Sequence, residues 1–94
     1  QLWHLYLIEC ADGSLYTGIT TDVARRYAQH EKGTGARYTR SHRPMRLLGS
    51  RPCGNHADAL RAEAALRRLP KARKRTALWS IEIPPSPPLS ARTP

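Results

Sequence analysis

The stretch "HLYLIECADGSLYTGI", residues 4–19, limits the fold more than any other part of the chain. It places two runs of strand-forming residues on either side of Ala11-Asp12-Gly13. A three-residue connection ending in a left-handed glycine is a common way to close an antiparallel hairpin. Such a loop pairs Cys10 with Ser14, Ile8 with Tyr16 and Tyr6 with Gly18. Because side chains alternate across a strand, one face then gathers Trp3, Leu5, Leu7, Leu15 and Ile19. The other gathers His4, Tyr6, Tyr16, Gly18 and Thr20. A loop of two or four residues would instead send the tyrosines to opposite faces. In the three-residue register they converge beside a glycine that leaves room above the sheet. A cross-strand aromatic pair, contributing about 0.2–1 kcal/mol with Gly18 at a simple bulge, accounts for the same residues without any function.

Thr21 or Asp22 caps a helix predicted to run to about Lys32, with Gly33 and Gly35 ending it. Val23 and Tyr27 lie one turn apart on it, and Arg26 and His30 share a neighbouring face. Gly35 to Arg43, "GARYTRSHR", reads as a basic loop, and Met45 to Ser50 as a third strand. Ala59, Ala62, Leu66 and Leu69 keep the three-and-four spacing of a buried stripe. That spacing predicts a helix over Asp58 to Leu69, with Glu63 on its flank. Pro70 suits the first turn of a third helix, Lys71 to about Leu78. From Ser80 the composition shifts, and "SIEIPPSPPLSARTP" holds five of the eight prolines. Beyond a short strand at Ile81 to Ile83 this tail is expected to be disordered. The expected class is α+β, a small three-stranded antiparallel sheet with about three helices packed around it. Residues 1–79 form the domain and residues 80–94 the tail. At 94 residues the chain buries only about two thirds of its unfolded surface, so no second core is expected.

Sixteen Lys and Arg against seven Asp and Glu leave a net charge of +9. Each cation set against a phosphate releases a condensed counterion, so this balance favours a nucleic-acid partner over a neutral one. The distribution sharpens the reading. No acid falls between Lys32 and His56, where there are five arginines. Arg37, Tyr38, Arg40, His42, Arg43 and Arg46 interleave cations with an aromatic, suited to following a backbone and stacking an unpaired base. A solvated basic loop is the plain alternative. Nothing here reads base edges, so no sequence specificity is predicted. Cys10 and Cys53 are too few for a disulfide framework and fit a reducing compartment. Cys53 and His56 are spaced like half of a zinc site that lacks its second pair. With no apolar run of about 20 residues and no signal-like start, no membrane association and a cytoplasmic location are expected.

His4-Leu5-Tyr6, then Tyr16-Thr17-Gly18 ten residues on, then Arg26 eight residues after that glycine within "DVARRYAQH", and Glu63 on a later helix form a set. This set resembles the paired motifs of the GIY-YIG nuclease superfamily. The "GTGARYTRSHRP" loop is similar to that of its small, single-domain YhbQ-like bacterial members. The resemblance spans roughly residues 3–78 and leaves the tail out. Two departures stand: His4 occupies the place of the first glycine, and no asparagine near the C-terminus matches the one found in several members. Asn55, ahead of the second helix, is not carried over.

The resemblance implies a metal-dependent endonuclease that hydrolyses phosphodiester bonds, with DNA favoured over RNA and a structure-specific repair or recombination substrate. A monomer holding one magnesium or manganese ion on Glu63 is expected. A phosphodiester is anionic and repels its attacker, so a site needs charge neutralisation, an activated water and help for the leaving oxygen. Arg26 can fork two donors onto phosphate oxygens; its alternative is a surface pair with Asp22 worth about 0.3–0.5 kcal/mol. Glu63 can hold an ion that retains waters, or simply pair with Arg67. Tyr6 or Tyr16 could deprotonate water if Arg26 or the ion lowers a phenol pKa of about 10, with Tyr16 slightly favoured. His30 is either a proton relay, a phosphate ligand or a solvent-facing helix residue. Gly18 and Arg25 join the loop cations as nucleic-acid contacts. A catalytically silent nucleic-acid binder, and an interaction module working through the proline tail, are the competing readings.

Overall fold

The Ala11-Asp12-Gly13 turn closes as its residue types dictate. Gly13 takes φ of +85°, and Asp12 Oδ1 accepts the Ser14 amide at 3.0 Å and the Ser14 hydroxyl at 2.6 Å. A computed structural model describes residues 1–82 of the chain. In it, β1 (His4–Cys10) and β2 (Leu15–Thr20) pair antiparallel with Tyr6 opposite Gly18 and Ile8 opposite Tyr16, the register expected of a three-residue loop. Strand β3 (Pro44–Pro52) pairs antiparallel with the other edge of β1, giving the order β2-β1-β3. The central strand is therefore hydrogen-bonded along both edges, and Leu5 through Cys10 are all buried.

Alternation along β1 sorts the core into two layers. Leu5 and Leu7 pack with Cys53, Ala59, Ala62, Leu66 and Leu78 beneath α3 (His56–Arg67) and α4 (Lys71–Ser80). Tyr6, Ile8 and Cys10 pack with Tyr16 and with Val23 and Tyr27 of α1 (Val23–Glu31) on the opposite face. The architecture is the expected α+β sandwich of helices around a three-stranded sheet.

The helix boundaries follow local chemistry. Asp22 caps α1 by accepting the Arg25 amide at 3.1 Å, and its carboxylate is used there rather than in a pair with Arg26. Helix α3 starts two residues earlier than its apolar stripe suggested, because Asn55 and Asp58 form a reciprocal capping box that satisfies two orphan amides. Helix α4 reaches Ser80, past Leu78, with Pro70 at its cap position. The Arg51 guanidinium donates to the carbonyl of Leu78, in the last turn of α4, and to that of Ile81, just beyond it, which satisfies one of the orphan acceptors of the helix end. Glu9, almost fully buried, receives both Arg46 and Arg75, tying β1 to β3 and to α4.

Three expectations are corrected. The basic loop holds a short helix, α2 (Arg37–Ser41), stabilised by a tertiary contact of Thr39 that no local pattern announces. Ile81 and Glu82 adopt no regular structure; Ile83 and the rest of the proline-rich tail lie outside the described residues. The room above Gly18 is not open: a Cβ there would lie 2.3 Å from the Tyr6 hydroxyl oxygen and 2.4 Å from Tyr6 Cζ. The ring of Tyr6 lies on its cross-strand glycine.

A Gly18→Ala substitution is therefore expected to force the buried Tyr6 ring from its seat. It should lower stability by about 1–3 kcal/mol, as overpacking does, read as a lower urea midpoint at unchanged m-value. A change below about 0.5 kcal/mol would mean that the ring moves freely, contrary to its packing.

Candidate active site

Tyr6, on the central strand, is 2% exposed, and a buried phenol needs a hydrogen-bond partner. It finds one in His30, one turn after Arg26 on α1 and likewise buried, with 2.8 Å between the hydroxyl and Nε2. His30 Nδ1 lies 2.6 Å from Thr39 Oγ1 on α2, and the Thr39 hydroxyl donates to the Ala36 carbonyl at 3.0 Å. A threonine hydroxyl has one proton. With that proton on Ala36, Thr39 accepts from His30 Nδ1–H, so Nε2 is bare and Tyr6 donates to it. Two glycines make this possible. Gly18 seats Tyr6, and Gly35 seats His30, where a Cβ would fall 2.4 Å from Nδ1. Gly33, at φ of +79°, ends α1; Gly35 serves the histidine instead.

Burial dominates the protonation of this pair. It pushes the Tyr6 phenol up to about 12, helped by the nearby Tyr16 and Glu63 and opposed by hydrogen bonding and charge from Arg26. It pulls the His30 imidazole down to about 4, with the Arg26 charge acting in the same direction. At Tyr6, then, the expected lowering by Arg26 exists but loses to desolvation. Contacts bring Tyr6, Tyr16 and His30 together directly, Arg26 stands one turn before His30 on α1, and Glu63 is joined to β2 through Arg67 and the Thr17 carbonyl.

Tyr16 differs from Tyr6. It is half-buried, its ring centroid lies 5.3 Å from that of His30 and 6.3 Å from that of Tyr6, and its hydroxyl makes no hydrogen bond to the described residues. Outward from Tyr16 runs a stack: Tyr38 at 5.7 Å, then His42 at 4.0 Å from Tyr38. His42 is held by Asp12 at 2.8 Å. Hydrogen bonds from Ser14 and then His42 keep the Asp12 carboxyl well below the usual range.

Arg26 donates through Nη1 to Gln29 Oε1 at 2.9 Å and shares a surface cleft with Thr20, Thr21, Asp22, Arg25 and Gln29. Glu63, on α3, keeps 17% of its side chain exposed, and its partner Arg67 stands off at 3.4 Å. The same Arg67 nitrogen donates to the Thr17 carbonyl at 3.3 Å, which anchors this corner to β2. No group of three His, Cys, Asp or Glu residues is gathered among the described residues. The donor set therefore suits magnesium or manganese, which take one carboxylate and keep most of their waters, and not an ion needing a full protein cage. Cys53 instead contacts the Arg51 carbonyl, and His56 packs on Trp3.

Of the loop cations, Arg37, Arg40 and Arg43 are exposed, whereas Arg46 is tied to Glu9 at 2.7 Å. Sequence reasoning missed Thr39, Gly35, Arg67 and Lys74. Only the need of a buried histidine for a second partner could have pointed to Thr39.

Residues 2–76 match the GIY-YIG catalytic domain. The chain is 52% identical over 82 residues to a UPF0213 protein of Cupriavidus pinatubonensis, covering 87% of this chain and 91% of that protein. It is 53% identical over 72 residues to the UPF0213 protein YhbQ of Escherichia coli O127:H6, covering 77% and 72%. Among solved structures it resembles the solution NMR structure of a UPF0213 protein from Bacillus halodurans, with 40% identity, a TM-score of 0.50 and coverage of 90% and 89%. A protein of E. faecalis, also solved by NMR, matches at 32% identity and a TM-score of 0.59 over 92% of both chains. No helix among the described residues is long and apolar enough to cross a membrane.

The buried pair sets a pH window. With His30 lowered from 6.5 to about 4, the unfolded chain takes up the proton first, so the pair's stabilisation is complete above about pH 6.5 and is lost as pH falls toward 4. With Tyr6 raised from 10.0 to about 12, stability falls again as pH rises from 10 to 12. Nitrogen-15 NMR of His30 should show a neutral Nδ1–H tautomer throughout the plateau. A His30 titration midpoint near 6.5 would contradict the proton order.

Proposed function

This chain belongs to the GIY-YIG catalytic-domain family, and from that premise we propose that it is a divalent-ion-dependent endonuclease hydrolysing phosphodiester bonds in nucleic acid. One observation carries the reading: the Tyr6 hydroxyl lies 2.8 Å from His30, one turn beyond Arg26, with the Tyr16 ring 6.3 Å from that of Tyr6 and Glu63 joined through Arg67 to the Thr17 carbonyl on the same strand as Tyr16. Arg26 grips the scissile phosphate; Gln29 holds one of its donors and the rest remain available for oxygens. Tyr16, whose hydroxyl makes no hydrogen bond among the described residues, meets the attacking water and, as its phenolate, takes the water's proton. Tyr6 keeps its own proton in the hydrogen bond to His30 and offers the lone pairs of its oxygen to the same water, which it orients. A magnesium or manganese ion held by Glu63 would neutralise phosphate charge and stabilise the departing oxygen.

Arg25, Arg37, Arg40, His42 and Arg43 supply the surrounding positive surface, and the backbone at Gly18 adjoins it. We take branched or flapped DNA of the repair or recombination kind as the substrate, and a cytoplasmic monomer as the working form. A catalytically silent binder is the second reading, favoured by the Tyr6 phenol being held protonated to about 12.

Wild type, Arg26→Ala and Glu63→Gln incubated with branched, flapped, single-stranded and duplex DNA, in magnesium, manganese or chelator, separate the two. Cleavage should need the ion and fall by about 100-fold or more in each variant, as when a transition-state charge partner is lost. Equal cleavage by all three proteins would overturn the site. Salt-sensitive binding without cleavage on any substrate would establish the silent binder.

A further inference from the structure

We propose that the cleft between β2, Tyr38 and the α3–α4 junction is a subsite for one unpaired base and its phosphate, on one side only of the bond to be cut. This rests on the nuclease reading above and narrows its substrate to strands with an unpaired nucleotide beside the scissile phosphate.

The cleft is lined by Leu15, Tyr16, Thr17, Tyr38, Arg67 and Lys74, with a volume of about 430 Å³, enough for a planar ring system rather than a few waters. Its two walls differ in chemistry. One is aromatic: Tyr38, 36% exposed, stands against Tyr16 and is backed by His42, itself pinned to Asp12. An aromatic braced this way loses little freedom when a ligand stacks on it. The other wall is cationic. Arg67 leaves 55% of its side chain exposed, and Lys74 makes no ion pair among the described residues. Lys71 extends this wall to the hairpin turn, its Nζ 3.4 Å from where a Gly13 Cβ would be. No carboxylate is among the described residues that line the cleft. A flat apolar platform facing two positive charges fits a nucleobase carried on a phosphate.

The cleft adjoins the catalytic centre through Arg67, which also approaches Glu63 at 3.4 Å. At the other end of β2 lies the cleft of Thr20, Thr21, Asp22, Arg25, Arg26 and Gln29, which holds cations and no aromatic. From Tyr16 to Thr20 the strand rises about 13 Å at its usual 3.3–3.4 Å per residue, with Gly18 between. A substrate strand running along this edge meets phosphate-binding groups at both ends and a stacking surface at one. A paired base keeps its faces within the duplex stack and cannot reach Tyr38, whereas an unpaired base can.

The test is binding in chelator, where nothing is cut. DNA oligonucleotides carry 2-aminopurine either within a duplex or as one unpaired nucleotide at a duplex end, and are titrated with wild type, Tyr38→Phe, Tyr38→Ala and Lys74→Gln. Wild type and Tyr38→Phe should quench the unpaired probe and bind it roughly 10-fold tighter than the paired one, the size of one base stack. In Tyr38→Ala that ratio should fall to near one with circular dichroism unchanged, and Lys74→Gln should reduce the salt slope by about one. Equal wild-type affinity for both probes, a ratio unaltered in Tyr38→Ala, or displacement of the probe by poly-glutamate as readily as by DNA would overturn the subsite. Tyr38-dependent quenching without cleavage in magnesium would sink the nuclease reading alone. Cleavage lost in Arg26→Ala and Glu63→Gln but with no Tyr38-dependent ratio would sink the subsite alone.

Discussion

The hydrogen bond from Tyr6 to His30 is the interaction on which the rest of the site depends. It crosses between the central strand and α1, both partners are buried, and each would carry an unsatisfied polar atom without the other, at a cost of about 1–3 kcal/mol. Fixing it requires two missing Cβ atoms, at Gly18 and Gly35, and a hydroxyl at Thr39 to orient the imidazole. Helix α2 is in this sense a support for a histidine: five residues long and without a side-chain cap, it is held where Thr39 meets His30. Once α2 is in place, Tyr38 reaches Tyr16 and the aromatic stack continues to the surface.

Electrostatics sorts five of the seven acidic residues by role, Glu31 and Glu82 being exposed. Asp12 closes the hairpin turn, Asp22 caps α1, Asp58 completes the box at α3 and Glu9 anchors two arginines. Each is satisfied by short contacts that a distant ligand would have to break. Glu63 differs among the sheltered carboxylates: its one ion pair among the described residues is the longer one to Arg67, so its charge is less committed than theirs. The excess of arginines is likewise not uniform: Arg46, Arg51 and Arg75 serve the fold, while Arg37, Arg40 and Arg43 face solvent.

Several features were readable in the chain because they are local. The three residues Ala11-Asp12-Gly13 set the hairpin register, and with period-two alternation that register alone put Tyr6, Tyr16 and Gly18 on one face and the leucines on the other. The stripe Ala59, Ala62, Leu66 announced α3. What failed was of another kind. Gly18 looked like an opening and proved to be a seat, because an extended strand pattern says which face a ring occupies but not how it tilts. Arg26 was expected to lower a phenol pKa, yet at Tyr6 burial outweighs it, and burial is a property of the packed molecule.

The chain by itself determined the types of the three strands and the three longer helices, and the hairpin register, and offered candidate residues for phosphate or metal, since these follow from backbone sterics, side-chain period and donor chemistry within a few residues. Only the tertiary structure decided that His30 is buried and neutral, that Thr39 of α2 orients it, and that α3 and α4 bring Arg67 and Lys74 to the edge of β2. These contacts join residues 9 to 50 positions apart, and their energies come from excluding water between elements, which no stretch of sequence experiences until the others have packed against it.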